Sequence, residues 1–253
     1  MTKAQPSPLV EVKDFSMKFG KTTVIDSLNF EIMKGETFGL LGSNGSGKTT
    51  TIRALLGIYK PTEGKLYIEN KAYTVDSDVT LGYLPEERGL YRNESVLDVM
   101  IYFGTLKRMR PNEAKEWSLN YLKRVGLFDK ANVKIDKLSG GQQQKVQLGV
   151  TIMNHPKLLI LDEPTKGFDP VNRRLLMDII EERQADGATV VLVTHHMEEV
   201  EKLCDRLILL KDGSAAAYGT VEQVRAAHNN KSLDDIFVDV YGHHALQGGE
   251  QHV

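Results

Sequence analysis

The sequence predicts an α/β fold: a mostly parallel sheet, preceded by antiparallel N-terminal strands and interrupted by an inserted helical segment. Three observations carry the prediction. A short apolar strand passes through a glycine-rich loop into a helix across residues 37–57. Continuous β-prone apolar runs recur at residues 158–162 and 189–194, as expected of strands buried on both faces. Between about residues 87 and 155 only helical periodicity is found. A chain of 253 residues is long enough for one large domain, or a core with a subdomain, and can bury a substantial interior.

The elements follow in order. Val10-Glu11-Val12-Lys13-Asp14-Phe15 alternates apolar and polar residues, the pattern of a half-buried strand. Phe19-Gly20-Lys21 is a turn, residues 23–32 continue as strand, and Lys34-Gly35-Glu36 turns into the apolar run 37–41. Pro61-Thr62-Glu63-Gly64 is a further turn, followed by the strand 65–68 and a short apolar run at 79–84 that Pro85 ends. Ser95 is a helix cap, with Val96, Leu97, Val99, Met100 and Phe103 at helical spacing behind it. Pro111 sits in the first turn of a second helix over residues 112–124, whose apolar positions are Trp117, Leu119, Tyr121, Leu122 and Val125. Trp117 is read as subdomain core. A third helix begins near Ser139 and carries Val146, Leu148, Val150, Ile152 and Met153. The α/β pattern then resumes with the strand 158–162, a helix over 173–184 closed by Asp186-Gly187, and the strand 189–194. A helix at 197–204, a strand at 207–210, the hairpin turn Asp212-Gly213 and a strand at 214–218 follow. Residues 221–253 read as one helix and then a segment of falling structure, whose His243, His244 and His252 are read as solvated.

Composition excludes some classes. Hydrophobic residues at 41% and charged residues at 26% are those of an ordinary globular protein, and a net charge of −2 gives no electrostatic footprint for nucleic acid. The single cysteine, Cys204, leaves no intramolecular disulfide, fits a reducing cytoplasm, and reads as a small apolar filler on a helix. No run approaches the ~18 apolar residues of a membrane span, and the polar start resembles no signal peptide. The expectation is a chain that is soluble and stays where it is made, with any spanning part supplied by a partner.

Three stretches carry chemistry. Gly42-Ser43-Asn44-Gly45-Ser46-Gly47-Lys48-Thr49 reads G-x-x-x-x-G-K-T, a phosphate-binding loop. Glycines let the backbone wrap an anion with its N–H groups inward, above the positive end of the following helix. Lys48 then reaches the β- and γ-phosphates of a nucleotide, and the Thr49 hydroxyl ligates Mg²⁺. The run ending in Asp162 delivers a carboxylate to the sheet edge, where such sites hold Mg²⁺, and the adjacent Glu163 could polarise a water for attack on the γ-phosphate. Leu138-Ser139-Gly140-Gly141-Gln142 is a second anion-binding nest at a helix start. One nucleotide does not need two nests unless the second serves another subunit.

In these motifs, their order and their context, residues 9–218 resemble ATP-binding cassette (ABC) proteins. The resemblance implies a P-loop NTPase core, RecA-like with a mostly parallel sheet. It sets a single ATPase domain over residues 1–220, with core segments 1–86 and 156–220, a helical subdomain at about 87–155, and a C-terminal helix and tail at 221–253. By position it makes Phe19 the adenine-stacking aromatic and residues 42–50, through Thr50, the phosphate site. It makes Asp162 the magnesium-organising acid, Glu163 the candidate general base and His195 the switch histidine that holds the γ-phosphate. Gly167-Phe168-Asp169 falls on the dimer-contacting aspartate loop. Phe168 stands there for the usual leucine and Lys166 for the usual serine, a change that bears on contacts across a dimer. His196 has no required role, since adjacent side chains diverge. Glu86 replaces the usual glutamine, adding a charge that favours Mg²⁺ and opposes the γ-phosphate; it is expected still to ligate Mg²⁺.

The implied protein binds and hydrolyses ATP with Mg²⁺ as a head-to-tail homodimer or heterodimer with another ABC ATPase subunit. Lys48 of one subunit faces Ser139, Gly140, Gly141 and Gln142 of the other. Work is delivered to a separate integral-membrane permease, with the chain peripheral on the cytoplasmic face. The stretch Pro85-Glu86-Glu87-Arg88-Gly89-Leu90-Tyr91 looks like an export-type subgroup. The competing readings are a soluble cassette in cofactor assembly or scaffolding, and a nucleic-acid-associated cassette. The second of these would usually show a further cassette, a long coiled-coil insertion or a basic extension, none of which is present.

Overall fold

The computed structural model describes residues 8–69, 71–72, 80–87 and 89–245. The polar start at 1–7, Val79 of the apolar run, Arg88 and His252 lie outside the described residues, as do the side chains of His243 and His244. In chain order the strands and helices are β1 Pro8–Phe19, β2 Thr22–Met33, β3 Thr37–Gly42, α1 Lys48–Leu55, β4 Glu63–Ile68, β5 Lys71–Ala72, β6 Leu81–Leu84, α2 Val96–Leu106, α3 Pro111–Arg124, α4 Gly140–Ile152, β7 Leu158–Asp162, α5 Pro170–Ala185, β8 Thr189–Val193, α6 Met197–Leu203, β9 Arg206–Lys211, β10 Ser214–Thr220, α7 Val221–Ala227 and α8 Leu233–Ala245.

The chain divides into two compact units: Met1–Val79 with Thr189–Val253, and Thr80–Ala188. Strands β6 and β7 and helix α5 cluster with the inserted helices, and residues 221–245 with the N-terminal half.

The first unit holds an antiparallel sheet in the order β2-β1-β4-β5 and, beside it, strands in the order β10-β9-β3-β8. Strand β3 is parallel to both β8 and β9, while β10 returns antiparallel to β9. Every residue of β3 and β8 is buried, which is why both read as unbroken apolar runs rather than alternations. Phe30 of β2 stacks on Phe38 of β3 at 5.6 Å between ring centroids, joining the two sets of strands. Arg206 reinforces the junction, donating to the Glu31 carbonyl at 3.2 Å and to Glu36 at 3.4 Å. Burial raises the Glu36 carboxyl, with Arg206 and the Met33 amide drawing it back.

In the second unit β6 and β7 pair in parallel, Leu84 opposite Leu161. Around them pack α2 to α5. Ser95 caps α2 as expected, accepting from the Asp98 amide. Pro111 opens α3, whose buried face is Ala114, Ser118, Tyr121 and Leu122. Trp117 is only half-buried, stacked on Tyr121 at 5.2 Å, so it flanks the helical core instead of filling it. Lys107, just past α2, donates to the Thr151 and Met153 carbonyls at 2.6 and 3.5 Å, closing the end of α4. Burial pulls its ammonium down to about 8.

The C-terminal region differs from expectation. Instead of one helix and a loose tail, it forms α7 and α8, the latter burying Leu233 and Ile236. Cys204 is buried at the end of α6, where burial pushes its thiol up.

Candidate nucleotide site

In the first unit the site begins where β3 ends. Gly42 closes the strand, Gly47 precedes α1 with φ 106°, and Gly45 takes φ 81°. These left-handed values favour glycine on backbone grounds alone. At Gly47 space adds a second reason: a Cβ would lie 2.3 Å from Ile25 Cδ1. The loop thus wraps closely over β2. Ser46 contributes a buried hydroxyl that has no hydrogen-bond partner among the described residues. No acidic residue occupies the first turn of α1, where Lys48, Thr49 and Thr50 lie, so nothing there opposes a phosphate. Lys48 Nζ donates to the carbonyls of Gly42 at 2.7 Å and Ser43 at 2.9 Å. A glycine cradle, an orphaned buried hydroxyl and a lysine folded back over them fit a bound phosphate chain.

Register places two further residues. Leu40 of β3 pairs with Val193 of β8, so residues 42–49 and His195 both leave the carboxyl ends of neighbouring parallel strands. Ligands of open α/β sheets bind at that edge. Exposed His195 lies with its ring centroid 4.2 Å from that of His196. The expectation that these adjacent side chains diverge is therefore corrected: α6 begins immediately after His196, and the bend into it brings the rings together. Phe19 ends β1 as an exposed residue, its ring backed edge-on by Tyr59 at 5.3 Å, while Arg53 donates to the Tyr59 hydroxyl at 2.8 Å. An exposed, braced ring suits stacking. Tyr59 and Arg53 escaped the sequence reading, because nothing in their spacing marks them as support for Phe19.

The second unit repeats the logic. Strands β6 and β7 are parallel neighbours, so Glu86 and the pair Asp162 and Glu163 emerge at one edge. Asp162 and Glu163 are buried, 7% and 8% exposed. Glu163 adopts φ 47°, a left-handed conformation uncommon for a residue with a side chain and often found where the surroundings hold a functional group in place. Glu86 meets Lys166 Nζ at 2.5 Å. Two of the three departures noted in the sequence, Glu86 and Lys166, are thus one ion pair, and the added carboxylate carries its own counter-charge.

Ser139 caps α4 in a reciprocal box with Gln142: the hydroxyl accepts from the Gln142 amide at 3.3 Å, and Gln142 Oε1 from the Ser139 amide at 2.9 Å. Gly140 and Gly141 form its first turn, and a Cβ on Gly141 would stand 3.4 Å from the ring of buried Phe168. Asp169 caps α5, accepting from the Asn172 amide at 2.9 Å, and those bonds hold its carboxyl below the usual range.

One feature was missed. Helix α4 carries buried glutamines whose side chains reach three backbone segments. Gln143 donates to the Leu138 carbonyl at 3.0 Å and Gln147 to the Glu87 carbonyl at 3.1 Å. Gln144 donates to the Glu163 and Pro164 carbonyls at 3.4 and 3.1 Å. The run Gln142-Gln143-Gln144 was the signal, since three amides in succession cannot all face water on a helix.

A glycine-cradled phosphate loop after a buried parallel strand, in a chain that also delivers paired carboxylates to a strand end, defines a P-loop nucleotide-hydrolysing protein. The ABC transporter family profile matches residues 25–166, more than half of the chain. A protein from Methanocaldococcus jannaschii called an uncharacterized ABC transporter ATP-binding protein is 44% identical over 217 residues, 86% of this chain and 79% of that one. The Bacillus subtilis linearmycin resistance ATP-binding protein LnrL is 34% identical over 84% of this chain and 69% of its own. Nod factor export ATP-binding protein I of Rhizobium sp. strain N33 is 34% identical over 90% and 76%. Among solved structures, an ATP-binding subunit of an ABC transporter superposes with TM-score 0.85 at 28% identity, covering 92% of this chain and 99% of that one. A dimeric post-hydrolysis ATP-binding cassette bound to ADP and Pi gives 0.75 at 29% identity, over 84% and 98%. The chain belongs to the ABC transporter family: it is an ATP-binding, ATP-hydrolysing cassette.

Proposed function

We propose that this cassette is the motor subunit of an exporter, working as a head-to-tail dimer with a second copy or a related cassette. The observation that carries this reading is the division of phosphate-binding features within one chain. The cradle of residues 42–49 lies in one compact unit, and the exposed, reciprocally capped helix start at Ser139 in the other. Ser139, Gly140, Gly141 and Gln142 then complete the phosphate site of the opposite subunit. Phe19 stacks on adenine, Lys48 and the loop amides bind the phosphates, and His195 contacts the γ-phosphate. Glu163 accepts a proton from the attacking water. Asp169 contributes to the dimer contact.

Thr49 in the first unit and Asp162 and Glu86 in the second are each proposed as Mg²⁺ ligands; oxygen donors suit that hard cation, and Glu86 must first release Lys166. When bound, the ion offsets charge on the β- and γ-phosphates. Among the described residues no helix is long and apolar enough to cross a membrane. Membership of the ABC transporter family supports a separate integral-membrane permease that receives the work, with the cassette on its cytoplasmic face. The groove lined by Tyr91, Glu94, Asp98, Val99 and Tyr102 offers exposed aromatic surface for that partner. The similarity to a linearmycin resistance protein and a Nod factor export protein supports the export direction. The test is Glu163→Gln: it keeps ATP binding, abolishes turnover and yields a dimer only with ATP. A variant that stays monomeric in saturating ATP refutes the proposal.

A further inference from the structure

The C-terminal helix reaches β9 where that strand pairs with the first residue of the phosphate loop. Helix α8 buries Leu233 and Ile236, and the same stripe continues through Val240 and Tyr241. Two bonds at its far end fasten it to β9: Lys211 Nζ donates to the Val240 carbonyl at 2.7 Å, and the Tyr241 hydroxyl donates to the Leu210 carbonyl. Leu210 is the register partner of Gly42, the first residue of the loop. Its carbonyl lies so close that a Cβ on Gly42 would stand 2.8 Å from it. Burial raises the Tyr241 phenol, and neighbouring Ser43 of the loop draws it back. Phe237 packs against its ring at 4.5 Å, leaving the hydroxyl little freedom to leave. On the other side of the same two residues, the Gly42 and Ser43 carbonyls receive Lys48.

We propose that Tyr241 is a positioning residue of the phosphate loop: its hydroxyl, held on the Leu210 carbonyl opposite Gly42, fixes the loop's entry against β9 and so sets the loop's affinity for nucleotide. The physical reason is shape. The loop binds through backbone N–H groups that must converge on one anion, and its entry residues are the hinge about which that convergence is lost. A tether that fixes the entry keeps the cradle formed before ligand arrives. Linkage makes the effect reciprocal, so nucleotide in the loop holds α8 in place as strongly as α8 favours nucleotide.

The proposal rests on the nucleotide-binding reading of residues 42–49, which Lys48→Ala tests separately by losing binding. The experiment for Tyr241 uses the full chain with Tyr241→Phe, which keeps the ring packing and removes only the hydroxyl. Binding of ATP and ADP is measured by titration calorimetry, with amide hydrogen exchange on the same samples. Affinity for both nucleotides should weaken by about two- to tenfold, the range that one hydrogen bond commands. KM should rise rather than kcat fall, and exchange should quicken over residues 42–47 while residues 233–240 stay protected. Wild-type affinity with unchanged loop exchange overturns the proposal. So does a fall in thermal midpoint with affinity intact, since that marks Tyr241 as packing only. If Tyr241→Phe does not fold, Lys211→Met loosens the same helix end and must weaken nucleotide binding; unchanged affinity there also overturns it.

Discussion

Replacing Gln144 with methionine tests how Glu163 is held. Methionine keeps the length of the side chain and removes both donors. Gln144 is 5% exposed, so water does not readily replace it. The Glu163 carbonyl keeps the Lys166 amide at 3.1 Å, but the Pro164 carbonyl loses the Gln144 amide. Leaving a buried carbonyl unsatisfied costs about 1–3 kcal/mol. A left-handed backbone such as that of Glu163 costs about 1–2 kcal/mol, so the restraint removed is comparable to the strain it opposes. Relaxation should therefore move the carboxylate, and a displacement of about 1 Å at a reacting group can cost ~100-fold in rate. We expect kcat for ATP to fall about 10- to 100-fold. The ATP dissociation constant should hold within about twofold, the phosphate loop being built on other strands. Steady-state ATPase kinetics, calorimetric ATP binding and a urea melt measure the three quantities. A kcat within about twofold of wild type, in a variant that has lost stability, would show that Glu163 is held without Gln144.

Gly47→Ala forces a Cβ into left-handed backbone beside Ile25 and should lower stability by about 2–4 kcal/mol, with loss of ATP binding, in a urea melt and a nucleotide titration. Shortening Ile25 to valine should recover part of the stability and little of the binding, because the strain at φ remains. Lys107 binds its proton less tightly folded, at about 8, than unfolded, at 10.5, so its contribution to stability is complete above the unfolded value and is lost as pH falls through the folded one. The stability difference between wild type and Lys107→Met should therefore change by up to about 3 kcal/mol across that window, read from urea melts; a pH-independent difference argues against it. Glu86→Gln leaves Lys166 without its partner, and the Mg²⁺ concentration for half-maximal ATPase should rise several-fold; Glu86→Gln with Lys166→Ser should recover part of the loss.

Legibility in the sequence followed the range of the forces involved. The strands of the parallel sheet were readable because burial on both faces leaves an unbroken apolar run, and residues 42–49 because a phosphate cradle restricts residue type at each position. Helix starts were readable at Ser95 and Ser139, where a short side chain caps its own helix. The start of α5 was not: Asp169-Pro170 is a cap followed by a first-turn proline, yet Asp169 had been claimed by the dimer loop and the helix was begun three residues late. Pairing across distance stayed hidden. Glu86 and Lys166 each look like an isolated departure until β6 and β7 run side by side. Tyr241 gives no local sign that its hydroxyl ends at residue 210.

The bonds from Lys48 to the Gly42 and Ser43 carbonyls have a consequence for kinetics. A free lysine side chain at a binding site would sample many rotamers and surrender that freedom when the anion arrived. Here folding has already removed it, so the entropy loss belongs to stability rather than to binding. On the proposed role of Lys48, an arriving phosphate would exchange two neutral acceptors for a charged one, with the chain around them already in shape. Association is then set by how often nucleotide meets the loop, and selectivity among phosphates is expressed in how long each one stays.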